Sequence, residues 1–213
     1  MTDPIWLSET RQSYDTVAAD YADLLQDELG AKPMDRAILA VFAELVGAGG
    51  GGPVADLGCG SGRVAAHLAA LRVDVHGVDL SPAMVEVARR TYPGLRFAEG
   101  SMTDLGHADG VLGGIVAWYS IIHTPADRLP QVFEEFARVL RPGGELLVAF
   151  QVGAEQVRLV QAYGHPVSLV VHRRSPDEVA DLLRNAGFHV HARLVREPER
   201  WEKCPQAYLL ARR

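Results

Sequence analysis

The sequence predicts a three-layer α/β fold on a mostly parallel seven-stranded sheet, closed by an antiparallel C-terminal hairpin and preceded by helices. Three observations carry this. From Pro53 onward, short apolar runs alternate with segments of helical periodicity, the pattern that βαβ units impose on a chain. The last two apolar runs, 188–195 and 206–211, have only a loop between them, too little for a crossover helix, so they pair antiparallel at the sheet edge. Ahead of all this lie two amphipathic stretches and a glycine run.

In the first stretch Tyr14, Val17, Ala18, Tyr21, Leu24 and Leu25 recur at helical spacing, and Met34, Ala37, Ile38, Val41, Phe42 and Leu45 do so in the second. They predict N-terminal cap helices within 1–46. The run GAGGGG at 47–52 buries no side chain and costs backbone entropy to order, so it reads as a flexible connector. Strands are expected at 54–57, 73–79, 95–98, 111–118 and 145–151. Ser81-Pro82 signals a capped helix start, Ser175-Pro176-Asp177-Glu178 adds a capping-box glutamate, and Gly187 closes the last helix. A helix from Leu129 to Leu140 carries an apolar stripe ending in Phe136, Val139 and Leu140, and Arg141-Pro142-Gly143-Gly144 turns it into the fifth strand. The 213 residues read as one domain, its core at 53–213 interrupted by a segment at 152–174.

The composition, 48% hydrophobic and 23% charged, is that of a globular chain. A net charge of −6, from 21 basic and 27 acidic residues, has the wrong sign for a protein that neutralises many phosphates, so nucleic acid is not expected as a partner. Cys59 and Cys204 lie far apart, without disulfide or zinc spacing, and no metal is expected. With neither a leader-like N-terminus nor a long apolar run, the chain is expected in the cytoplasm, off the membrane, as a monomer or homodimer.

Chemistry concentrates after the first strand, where Ala55-Asp56-Leu57-Gly58-Cys59-Gly60-Ser61-Gly62 leads into a helix. Alternating glycines let the backbone turn tightly and admit a ligand close to it. Asp79, ending the second strand, is placed to accept both ribose hydroxyls of an adenosine. A dinucleotide fold needs a third glycine where Arg63 stands. Asp56 would sit badly beside a pyrophosphate but well beside an α-ammonium group. In these motifs the sequence resembles the class I S-adenosylmethionine-dependent methyltransferases, small-molecule branch, over roughly Tyr14 to the C-terminus.

The resemblance implies a Rossmann-like methyltransferase sandwich with S-adenosylmethionine as cofactor. It implies that Gly58, Gly60 and Gly62 line the methionine moiety with Asp56 and Cys59 alongside, and that Asp79 and Leu80 hold the ribose. The segment Tyr14 to Tyr21 looks like the helical preface that covers the cofactor in relatives, with core packing the other reading of both tyrosines. After the third strand relatives carry an acid that reads the adenine, where this chain has Ser101. The adenine is then read by the Ser101 hydroxyl or by backbone, with Met102 packing on the ring, while a capped helix start accounts equally for Thr103 and Asp104. Ala117 and Trp118 complete the cofactor set at the end of the fourth strand.

Methyl transfer is an in-line displacement, met largely by positioning. Trp118-Tyr119-Ser120 does not match the motif of exocyclic base methylases, which points to a small-molecule acceptor attacked at oxygen or nitrogen. His123 is either a general base for that acceptor or a packing residue beside the Thr124-Pro125 turn. The 152–174 insertion, with Arg158, Tyr163, His165, His172 and Arg173, is either part of an acceptor lid or a solvated hairpin. His123, His165 and His172 together could hold a metal only by coincidence of folding, and Trp201 either meets substrate or a partner or covers the sheet edge. Two rival readings remain: a nucleotide-dependent oxidoreductase, and a protein that binds the cofactor without transferring methyl.

Overall fold

The structure is a computed structural model, described here for residues 4–199 and 202–213. Trp201 lies outside the described residues. The elements follow as α1 (Ile5–Leu25), α2 (Pro33–Ala48), β1 (Val54–Leu57), α3 (Arg63–Ala70), β2 (Val75–Asp79), α4 (Pro82–Thr91), β3 (Arg96–Glu99), β4 (Leu112–Trp118), α5 (Leu129–Val139), β5 (Leu140–Gln151), β6 (Gln156–Ala162), β7 (His165–His172), α6 (Pro176–Asn185), β8 (His189–Arg196) and β9 (Gln206–Arg212). Seven strands form one sheet in the order β3-β2-β1-β4-β5-β9-β8. β1 to β5 pair in parallel, and β9 is antiparallel to both β5 and β8. The C-terminal hairpin thus extends the sheet with its second strand innermost, and the expected architecture is present.

Both faces of the sheet are covered, so the central strand β4 is buried at every position. Ile115 on β4, with Leu146, Val148 and Phe150 on β5, meets Phe133 and Phe136 of α5 and Leu183 of α6. Val116, Leu147 and Tyr208 face the other way, onto Leu39 and Phe42 of α2 and Leu68 of α3. Each such fully buried side chain contributes about 1.5–3 kcal/mol. Ser81 caps α4 by accepting from Met84 N (3.1 Å), and Ser175 caps α6 through Asp177 N (3.3 Å). The capping-box glutamate, Glu178, stands 4.0 Å from the Arg174 guanidinium.

One expectation changes. The glycine run is a fixed turn: Arg141 Nη2 donates to Gly49 O (2.7 Å) and Gly51 O (2.6 Å), and Gly51 N donates to Val46 O (2.8 Å). A sequence window cannot show that a distant arginine supplies the order that the glycines lack. The 152–174 insertion forms its own two-stranded sheet, β6 with β7. It packs on α1 at the carboxyl edge of the main sheet, where Ser168 N donates to Ser13 Oγ (3.0 Å) and His165 Nε2 meets Asp20 Oδ2 (2.7 Å). No helix among the described residues is long and apolar enough to cross a membrane.

Candidate active site

A cavity of about 420 Å3 opens over the carboxyl ends of β1, β2 and β4, roofed by α1 and the β6–β7 hairpin; small-molecule sites run from roughly 300 to 1,000 Å3. The loop after β1 builds one wall. Gly58, Gly60 and Gly62 all have positive φ (+73°, +53° and +84°), which only glycine adopts freely. At Gly58 a Cβ would lie 2.3 Å from Ser120 Cβ, and at Gly62 2.7 Å from the Phe97 ring. Gly58 and Gly60 line the cavity. Gly62 does not; its hydrogen is needed where α3 presses on β3.

Asp79 ends β2 at the cavity wall, 9% exposed. Its Oδ2 accepts from Gly60 N (2.7 Å) and its Oδ1 from Ser81 N (2.9 Å), so each oxygen keeps a lone pair for a ligand hydroxyl. Burial raises its pKa, while these backbone donors hold the charged form. Leu80, Ser101, Met102 and Trp118 also line the cavity, as expected. The Ser101 hydroxyl is already engaged, at 2.8 Å from Thr103 Oγ1 and accepting from Thr103 N (3.2 Å).

Besides Gly62, three expected site residues lie behind the wall rather than on it. Asp56 is fully buried beneath the loop, and neither of its oxygens makes a hydrogen bond of normal geometry. Burial lifts its pKa to about 7, with Arg63 and a weak Ala65 N–H contact pulling the other way. Cys59 packs against Gly77, where a Cβ would come within 2.7 Å of its Sγ. Ala117 faces the α5 layer, because strand alternation sends Trp118 to the opposite side.

Both tyrosines of α1 reach the cavity, 6.0 Å apart edge-to-face. The intervening Asp15 docks α1 on α4: its Oδ1 accepts from Ser81 Oγ (2.5 Å) and Ala83 N (3.2 Å) at the α4 N-terminus. Tyr21 Oη accepts from Arg63 Nη1 (2.9 Å), and Arg63 Nη2 meets Glu28 Oε2 (2.9 Å). Tyr14 Oη lies 2.7 Å from His123 Nε2, and His123 Nδ1 lies 2.9 Å from Val170 O of the hairpin. Val170 O can only accept, so Nδ1 carries the proton and Nε2 accepts from Tyr14. Burial depresses the His123 pKa to about 4, with the His172 ring adding to the shift and Val170 opposing it. The imidazole is therefore neutral at physiological pH.

Of the insertion residues, Tyr163 and Arg173 line the cavity; Arg158 is exposed, His165 is paired to Asp20, and His172 is buried outside the lining. Among the described residues no group of three His, Cys, Asp or Glu side chains could hold a metal ion. The sequence reading missed Arg63 as a site residue, and had Tyr119 and Ser120 only as the exit of the fourth strand. Arg63 had counted only as a missing glycine, although an arginine opening the helix after the loop was a visible cue. Tyr119 has φ +54°, unusual for a non-glycine residue, and its hydroxyl is 3.0 Å from that of Tyr208, which donates to Asp35 Oδ1 (2.7 Å).

A family model described as a methyltransferase domain matches residues 54–144, from β1 to the turn inside β5. Over this segment the chain is similar to the methyltransferase-domain family. The demethylmenaquinone methyltransferase of Beutenbergia cavernae is 37% identical over 138 residues, covering 64% of this chain and 55% of that protein. The chain thus spans about half the length of the curated relatives it matches. The 1,6-didemethyltoxoflavin-N1-methyltransferase of Burkholderia thailandensis superposes with a TM-score of 0.75 at 20% identity, covering 100% of this chain and 92% of that one. The [4+2]-cyclase SpnF does so with a TM-score of 0.72 at 18% identity, covering 100% and 97%. S-adenosylmethionine is the cofactor of this family, and the residues present fit it. Asp79 offers two open acceptor sites, the Gly58–Gly60 backbone is bare, and the buried Arg63 Nε and Ser120 Oγ have no hydrogen-bond partner.

Proposed function

We propose that this protein transfers a methyl group from S-adenosylmethionine to an oxygen or nitrogen of a small-molecule acceptor. The observation that supports it best is Asp79, gripped by two backbone N–H groups at the wall of a cavity that the neighbouring loop meets with Gly58 and Gly60. In this reading Asp79 holds the ribose, Met102 and Leu80 pack on the adenine, and Tyr21 with Arg63 takes the amino-acid end. Gly62, Cys59, Ala117 and Asp56 support that surface from behind.

The cofactor supplies an electrophilic methyl on a sulfonium sulfur, which needs only an aligned lone pair. Trp118, Tyr119 and Tyr163 exclude water from the acceptor's approach. His123 presents an unprotonated Nε2, now satisfied by Tyr14. An acceptor hydroxyl that displaces Tyr14 would meet a proton acceptor already oriented by Val170 O. Replacing His123 with alanine is expected to lower turnover with little change in cofactor affinity.

Titration calorimetry with S-adenosylmethionine and S-adenosylhomocysteine tests the cofactor pocket, and failure of both to bind overturns the reading. Since a neighbour of the same fold is named a cyclase, mass-spectrometric detection of S-adenosylhomocysteine released with acceptor is the decisive readout for transfer.

A further inference from the structure

The charged side chains at the α2 end of the cavity satisfy one another. Lys32 Nζ is 3.0 Å from Glu28 Oε1 and 2.7 Å from Glu202 Oε1, and Glu28 Oε2 takes Arg63. Past the tips of β5 and β7 the balance differs. Arg173, immediately after β7, lines the cavity with its side chain 14% exposed. Its Nη1 reaches Glu155 Oε1 at 2.8 Å, but that carboxylate is 58% exposed, so the pair is screened by solvent. The Arg173 Nε–H is buried and has no hydrogen-bond partner. Lys203, an exposed residue on the rim of the lining, has no carboxylate within ion-pair distance among the described residues. Gln151 stands beside them with its Oε1 accepting from Cys204 Sγ (3.7 Å), which leaves its two amide hydrogens free. The same lining includes the apolar side chains of Ile122, Val157, Leu159 and Val171.

A buried donor without an acceptor costs about 1–3 kcal/mol, so in a native cavity it calls for a ligand. Resting on the methyltransferase reading above, we infer that the acceptor is an apolar or aromatic molecule bearing a carboxylate, held by Arg173, Lys203 and the Gln151 amide. The sulfonium cofactor adds positive charge to the same enclosure, and favours an anionic acceptor over a neutral one of equal shape. Arg173 fits this role because its planar guanidinium keeps donors spare after pairing with Glu155. The carboxylate is a handle that orients the ring; an adjoining hydroxyl or amine then faces His123.

The test uses isosteric pairs in the presence of saturating S-adenosylhomocysteine: six hydroxylated aryl carboxylates, including 1-hydroxy-2-naphthoate, each against its carboxamide. Wild-type protein is expected to bind at least one carboxylate tenfold or more tighter than its carboxamide, with affinity falling as salt is raised. The ratio should approach one in Arg173→Gln and Lys203→Gln, each checked for folding by its thermal melt. Equal affinities within every pair, no binding by any member, or a ratio unchanged in both variants would overturn the inference. Binding of S-adenosylhomocysteine alone to the wild-type protein reports separately on the cofactor reading. Success there with failure of the pairs removes only the carboxylate handle.

Discussion

At the scale of single residues, two kinds of position separate cleanly: those that touch a ligand and those that let a ligand be touched. In the proposed reading Asp79 is of the first kind. Replacing it with alanine removes both acceptor sites while leaving Gly60 N and Ser81 N without their partner. Hydrogen bonds to a charged group are worth about 1.5–3 kcal/mol, so the affinity for S-adenosylhomocysteine should fall roughly 10- to 150-fold by calorimetry. An unchanged affinity would assign Asp79 to loop structure alone. Gly62 is of the second kind: Gly62→Ala puts a Cβ 2.7 Å from Phe97 at φ +84°, and should destabilise the fold by about 1–3 kcal/mol. Gly47, inside α2 with nothing within 4 Å of an added methyl, should respond oppositely. Gly47→Ala is expected to stabilise by about 0.4–1 kcal/mol. Urea denaturation midpoints of the two variants should move in opposite directions, and a parallel shift would contradict this packing.

Between elements, the decisive joint is α1 on α4. Asp15 accepts from Ser81 Oγ and Ala83 N at the α4 N-terminus, and Val17 and Ala18 pack on Met84 and Val87. Asp15→Ala removes a carboxylate from a helix N-terminus and should cost about 1 kcal/mol. Because α1 also carries Tyr14 and Tyr21, hydrogen exchange should quicken in α1 and the β6–β7 hairpin while β4 and β5 stay protected. Uniform loss of protection would mean that the joint belongs to the global core. Much of this layer was legible beforehand. Helical and strand periods located the main-sheet strands, and Ser81-Pro82 marked the helix start, because those signals are local. Asp15 passed as one letter of a family-like preface, since its partner is 66 positions away. The bounds of the insertion's strands, offered only as one reading of 152–174, escaped for a related reason: β6 alternates weakly and leaves Val160 exposed, so its apolar period is short. For the site, the residues read from the strand ends, Asp79, Met102 and Trp118, line the cavity. Asp56, Cys59 and Ala117 lie behind the cavity lining, because a sequence position one residue along a strand or loop points to the opposite face.

Over the whole molecule, histidine titration couples these parts to pH. His76 of β2 and His107 of the loop after β3 face each other with Nε2 atoms 2.7 Å apart, a contact that admits one shared proton but repels two. Burial, then the neighbouring His107 and Arg96, depress the His76 pKa to about 4, against about 6.5 in an unfolded chain. Between those values the unfolded state binds the extra proton, so folding stability falls as pH drops from about 6.5 toward 4 and levels below it. His123 acts in the same direction, also at about 4. Asp56, raised to about 7, acts in the opposite sense, because the folded state holds its proton over the same window. The net slope therefore mixes several groups, but a difference between proteins isolates one. His76→Gln cannot be protonated, so its stability should decline less than that of the wild type between pH 6.5 and 4.5. The gap between the two denaturation series should widen by on the order of 1 kcal/mol as the pH falls. Curves that stay parallel across that interval would show that His76 keeps its ordinary pKa, and that the two imidazoles do not exclude a second proton.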